Sequence, residues 1–221
     1  MPQGLKPAVL RPFDPARLKP AEITPAGIAA STAIDAPAGP QVSASSLLDA
    51  LVWRPTLYRR KAVRYVSLRS WRKSSRKADI AALKRAKAEV DDELIAAAAA
   101  EIAGALATLF GPAADLLVTN VPCGHSRRPD CFGKRLAIAT AGKAGARFLQ
   151  IHADRFVSGV SHPKEFAQVD PLVRIATADR ATILVDDVST SGWHMEESLM
   201  AIRDQGVAAF GVVWIAGVGE G

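Results

Sequence analysis

The chain has 221 residues, 49% of them hydrophobic but only 6% aromatic, two cysteines, and a net charge of +6. That length suits one domain with extensions, and the apolar content excludes a wholly disordered chain. No run reaches the roughly 18 apolar residues of a membrane span, and the start lacks the apolar core and cleavage site of a secretory leader, so the expectation is a cytoplasmic protein without a membrane partner.

Residues 1–45 are rich in Pro, Ala, Ser and Gly, with prolines at 2, 7, 12, 15, 20, 25, 37 and 40. Proline at that density removes backbone donors, which predicts a disordered or extended arm. Residues 46–77 form a basic aromatic segment. Between Arg54 and Lys77 stand ten Lys or Arg and no acid, leaving the rest of the chain at −4. Such a segment attracts anions: a phosphorylated small molecule, pyrophosphate or nucleic acid. Trp53, Tyr58, Tyr65 and Trp71 are interleaved with its charges.

A long helix is predicted from Ala78 to Phe110. Its apolar residues Ile80, Leu83, Val90, Leu94, Ile102, Leu106 and Leu109 keep to one helical face, and Gly111-Pro112 ends it. Beyond it the rhythm becomes short apolar strands separated by helices. Strands are predicted at Leu116–Val121, Arg147–Ala153, Ala181–Val185 and Val207–Ile215, with a short further one at Leu172–Ala176. Helices are predicted at Cys131–Ala144 and Trp193–Gln205. This alternation predicts an α/β fold with a parallel sheet flanked by helices, spanning 78–221. Cys123 and Cys131 have no second ligand pair for zinc, and a disulfide is unusual in a reducing compartment, so both read as ordinary thiols.

The segment Thr182-Ile183-Leu184-Val185-Asp186-Asp187-Val188-Ser189-Thr190-Ser191-Gly192 carries the chemistry. It reads as a buried strand, two carboxylates at its carboxyl end, a hydroxyl-rich turn, a glycine, and a helix opening at Trp193-His194. Ligands of open α/β sheets bind outside the carboxyl ends of strands, and a helix N-terminus with free N–H groups suits a phosphate. The acids repel that phosphate. They are better placed one sugar length away, on ribose hydroxyls or a hydrated Mg²⁺.

This stretch resembles the phosphoribosyl-pyrophosphate (PRPP) signature of type I phosphoribosyltransferases: four apolar residues, two acids, two variable residues, two hydroxyl residues, glycine. The resemblance extends back to about Asp115, roughly half the chain. It implies a phosphoribosyltransferase that takes PRPP or a ribose 5-phosphate nucleotide and transfers phosphoribosyl to a nitrogenous base, releasing pyrophosphate. It implies Mg²⁺ carried by PRPP, with Asp186 and Asp187 on the ribose. Val188, Ser189, Thr190, Ser191, Gly192, Trp193 and His194 are then expected around the 5′-phosphate. Where the family often has Thr or Ser two residues after the glycine, this chain has His194.

Leu116-Leu117-Val118-Thr119-Asn120-Val121-Pro122-Cys123-Gly124 looks like the family's first core strand and pyrophosphate loop, with Arg127 and Arg128 close by. The run from Val121-Pro122 through His125-Ser126-Arg127-Arg128 to Phe132-Gly133 is similar to the ComF-type branch, although the cysteine-rich zinc ribbon usual there is missing. Between Asp154 and Phe166, where the family places a mobile loop, Arg155 and Lys164 are candidates for the pyrophosphate, while His162 reads as a loop residue. With the sequence ending at Gly221 soon after the last strand, a base-binding hood is expected from the aromatic segment before Ala78. Two other readings stay open. One is a non-catalytic PRPP or nucleotide sensor that binds nucleic acid through residues 54–77; the other is a metal-dependent doubly wound protein acting on phosphoryl groups. A homodimer is left open.

Overall fold

A computed structural model of the chain describes residues 44–72, 74, 77–122, 130–155 and 171–217. The basic segment supplies a short helix α1 (Ala44–Asp49) and two strands, β1 (Leu51–Arg60) and β2 (Val63–Trp71). They pair antiparallel across a tight turn at Lys61, whose φ is +45°. Pro55 sits in β1 where the register shifts between Trp53 and Thr56, and a strand with only one partner tolerates its missing N–H.

The predicted long helix is two helices, α2 (Lys77–Glu89) and α3 (Asp92–Phe110). Val90 takes φ +56°, and the Asp91 side chain accepts a hydrogen bond from the Leu94 N–H at 2.9 Å. The run Asp91-Asp92-Glu93 is a start signal, an N-cap followed by acids in the first turn, and it overrides the continuous apolar stripe. α3 is also long and apolar enough to cross a membrane, with a mean hydropathy of 1.6 over 18 residues, which corrects the expectation that no stretch qualifies. Here Leu94, Ile95, Ala98, Ala99, Ile102 and Leu106 are buried, and its Glu101 binds Arg69 of β2 at 2.5 and 2.7 Å.

Then follow β3 (Leu117–Asn120), α4 (Phe132–Ala144), β4 (Arg147–Phe148), β5 (Thr182–Ser189), α5 (Trp193–Arg203) and β6 (Ala209–Ala216). The six strands form one sheet in the order β1-β2-β6-β5-β3-β4, parallel throughout except for β1 against β2. The segment set apart as 46–77 therefore shares one sheet with the domain expected at 78–221. Leu172–Ala176 is no strand; it makes one isolated bridge, His152 to Arg174.

Helices cover both faces. One core gathers Val66, Leu68, Leu94, Ile102, Phe132, Leu136 and Trp214 under α3 and α4. The other gathers Tyr65, Leu184, Val213, Met195, Leu199 and Ile202 under α5. Gly211 of β6 is required on that second face, since a Cβ there would lie 2.5 Å from the Met195 sulfur and 2.6 Å from Tyr65 Cβ. This is an α/β fold with a mixed, mostly parallel sheet.

Candidate functional site

From β3 the chain crosses to β4 on one side, and it later enters β5 on the other. The strand order thus reverses between β3 and β5, where a doubly wound sheet opens a crevice at its carboxyl edge. The carboxyl end of β5 is Asp186–Ser189. Topology and motif therefore locate the same place.

Successive side chains of a strand alternate between faces. Asp187 turns toward α4, where a side chain on Gly133 would begin 3.9 Å from its Oδ2. It is 7% exposed, and both its oxygens lie 3.0 Å from Lys87 Nζ of α2. Its Oδ1 also accepts the Val188 N–H at 2.7 Å. Asp186 is half-buried and accepts the Asp187 N–H at 3.0 Å. Desolvation and the neighbouring Asp187 charge push its carboxyl up to about 7, against the pull of Lys87. Burial works against the Lys87 ammonium, but the Asp187 charge and hydrogen bond outweigh it, and its pKa is raised.

The hydroxyl turn leads into α5 through Gly192, at φ +70° in the left-handed region that favours glycine. A Cβ at Gly192 would collide with Tyr65 Oη and lie 2.9 Å from Arg60 Cδ. Ser191 Oγ accepts from the Trp193 N–H at 3.4 Å. The β1–β2 hairpin reaches over this turn: Arg60 Nη1 donates to the Ser191 carbonyl and Arg60 Nε to Glu196 at 3.0 Å. Lys61 Nζ lies 3.0 Å from the other Glu196 oxygen. Burial alone would raise the Glu196 carboxyl, yet the Arg60 and Lys61 hydrogen bonds hold it below its usual range. On another side Gly217 packs on Thr190 and Ser189, and its N–H donates to the Ser189 carbonyl at 2.7 Å. Thr190 stays exposed, while Val188, Ser189 and Ser191 are half-buried.

Arg155 is committed to Glu197, at 2.5 and 3.0 Å. It lies 5.9 Å from the Trp193 ring centre, with His194 Nδ1 at 3.5 Å. Its guanidinium thus fastens the segment after β4 to the start of α5. His152 nearby is buried with its Nδ1 unpartnered; burial lowers its pKa, as do Arg155 and Arg174, against Glu197. Lys134 of α4 pairs with Asp154 at 2.9 Å. Cys123, Gly124, Arg127, Arg128, His162 and Lys164 lie outside the described residues. Cys131 is disulfide-bonded, which corrects its reading as an ordinary thiol; the one other cysteine is Cys123. The Cys131 sulfur also caps α4, accepting from the Lys134 N–H at 3.4 Å.

Lys87, Arg60 and Glu196 escape the sequence reading as site residues. Lys87 stands 100 positions from Asp187 and Arg60 stands 136 from Glu196, and no local pattern links them. Of the aromatics expected in a hood, Tyr65 is buried and stacked on Tyr58 at 5.1 Å, while Trp53 is 48% exposed with Arg69 5.8 Å from its ring centre.

Among the described residues no group of three or more His, Cys, Asp or Glu is placed to hold a metal. A groove of about 670 Å³ between α3 and α4, lined by Ala100, Ala103, Gly104, Ala107 and Lys143, includes none of the residues of this site. No protein-family model matches the chain, and no curated protein is significantly similar to it.

Proposed function

We propose that the protein is a phosphoribosyltransferase of the type I kind, binding PRPP and transferring its phosphoribosyl group to a nitrogenous base. The observation that carries this reading is a coincidence of two independent things. The acid–acid–hydroxyl–hydroxyl–glycine segment stands at a strand-order reversal of the described parallel strands. Gly192 then opens α5 in the left-handed conformation that lets backbone N–H groups face an anion.

In this reading the 5′-phosphate approaches the turn from its exposed Thr190 side, drawn by the α5 N-terminus and the Arg60–Lys61 corner. Asp186 and Asp187 accept hydrogen bonds from the ribose hydroxyls. A nitrogen nucleophile forms its bond to ribose C1 as the C1–O bond to pyrophosphate breaks, and the bonding electrons leave with pyrophosphate. The transition state gathers positive charge at C1, so positioning and fixed charge are the protein's main contribution. Magnesium belongs to the pyrophosphate: the acid pair, with Lys87 on it, does not fit as a direct metal site, and no step is assigned to the ion.

Calorimetric titration tests the reading with Mg²⁺–PRPP and with ribose 5-phosphate, on wild type and on Asp186→Asn/Asp187→Asn. Wild type is expected to bind both and the double variant neither. Failure of wild type to bind either one refutes the proposal. Pyrophosphate release screened across purines, pyrimidines and orotate then identifies the acceptor.

A second reading, a PRPP or nucleotide sensor that also binds nucleic acid, draws on the hairpin. Arg54, Arg59 and Arg64 are exposed there beside exposed Trp53 and Leu57, a mixture suited to single strands. This reading expects PRPP binding without turnover, and nucleic-acid affinity that falls steeply with salt.

A further inference from the structure

We infer that Lys87 is the resident cation of the acid pair, standing on Asp187 where a divalent ion would otherwise bind, so that ribose is gripped here without a protein-bound metal. That the gripped group is ribose rests on the function proposed above; the placement of Lys87 does not.

The geometry is specific. Lys87 Nζ lies 3.0 Å from each Asp187 oxygen, a forked contact that takes the carboxylate's outer face. Oδ1 is engaged besides by the Val188 N–H at 2.7 Å. Magnesium demands near-octahedral oxygen ligands at about 2.0–2.1 Å. An ion so placed on Asp187 would stand against an ammonium group already within hydrogen-bonding distance of both oxygens. Repulsion between the two cations offsets a large part of what a single carboxylate returns, and the ion would have to displace the ammonium from both oxygens. No third carboxylate is available to change the balance, since no metal-capable cluster occurs among the described residues.

The fold also fixes where Lys87 stands. It lies in the last turn of α2, and the break at Val90–Asp91 ends that helix before α3 begins. An uninterrupted helix over 78–110 would point the same residue along a different axis. An ammonium group has three donors and no acceptors. With two donors on Asp187, the third is left for a sugar hydroxyl or a phosphate oxygen. Lys87 is therefore a positioning residue: its forked contact holds the Asp187 carboxylate aligned and sets a positive charge beside the acid pair.

The test uses the full chain and Mn²⁺ alone as the probe, titrated by electron paramagnetic resonance without nucleotide. Wild type is expected to show no site tighter than millimolar. Lys87→Gln is expected to tighten Mn²⁺ binding at least about tenfold by removing one adjacent positive charge. Adding Asp187→Asn to that variant should erase the gain, and Lys87→Arg should behave as wild type. The inference is overturned if Lys87→Gln keeps its far-ultraviolet circular dichroism yet gains nothing, or if its gain survives Asp187→Asn. Wild type can overturn it without any Lys87 variant, by showing a micromolar Mn²⁺ site that Asp187→Asn abolishes. Because the probe is the metal alone, failure here is distinguishable from failure of PRPP binding.

Discussion

The two halves of the candidate site are built from opposite charge and compensated to different degrees. At the α5 start, Arg60 and Lys61 converge on one carboxylate, Glu196, which leaves a cationic surplus beside a helix N-terminus. At the carboxyl edge of β5, Asp186 and Asp187 share one cation, Lys87, and the surplus is anionic. A ligand with an anionic end and a hydroxylated end is thereby oriented before any close contact forms. The compensating groups explain how both halves stay folded without a ligand: an isolated buried charge is expensive, whereas a paired one is tolerated. Pairing also sets a limit, because a ligand must compete with, or share, contacts the chain has already made.

The comparison breaks most severely at Gly192. Gly192→Val forces a branched side chain to φ +70° and into Tyr65 and Arg60. The expected cost is about 1–3 kcal/mol from backbone strain alone, read as a lower urea midpoint, together with loss of ribose 5-phosphate binding. An unchanged midpoint would show that the turn is not constrained as described.

Next comes the cationic half. Glu196→Gln removes the shared anchor of Arg60 and Lys61. Arg60 keeps 39% of its side-chain exposure and Lys61 78%, so solvent discounts the loss to about 1 kcal/mol. Because the Glu196 carboxyl is depressed in the fold, its contribution is complete above its ordinary value of 4.5 and fades as pH falls through the folded value. Denaturant titrations from pH 7 downward should show the variant's deficit full at pH 7 and shrinking as the pH falls below 4.5. Anion affinity should rise at low salt, and a fall in it would reverse the assigned polarity.

The acid half responds in the opposite sense. Asp186 is raised from 3.8 to about 7, so between those values the native state binds a proton that the unfolded state has lost. Its ionisation therefore erodes stability as pH rises across that window, and the penalty is complete above about 7. Asp186→Asn should gain on wild type by about 1 kcal/mol between pH 4 and pH 8, discounted for partial exposure. A pH-independent difference would place the titration elsewhere. Smallest is the outer hairpin: replacing Arg54, Arg59 and Arg64 together by Gln should change stability by no more than about 0.5 kcal/mol. Polyanion binding should weaken and lose salt dependence, and an unaltered salt slope would remove the hairpin from any nucleic-acid surface.

Elements whose information is local can be read from the residues alone. The alternation of apolar strands with helices marks β3, α4, β5, α5 and β6 within a few residues, and Gly192 announces the turn before α5. The helix break at Val90–Asp91 was legible too, in Asp91-Asp92-Glu93, but the apolar stripe running across it masks the signal. That the basic aromatic segment is two strands of the main sheet emerges only on folding, because nothing between Leu51 and Trp71 states that β2 will lie parallel to β6. Folding alone brought Lys87 to Asp187, and Arg60 with Tyr65 to Gly192. Such contacts depend on strand order and helix axes, set by which apolar faces bury together, and charges far apart in the chain meet as a consequence of that burial.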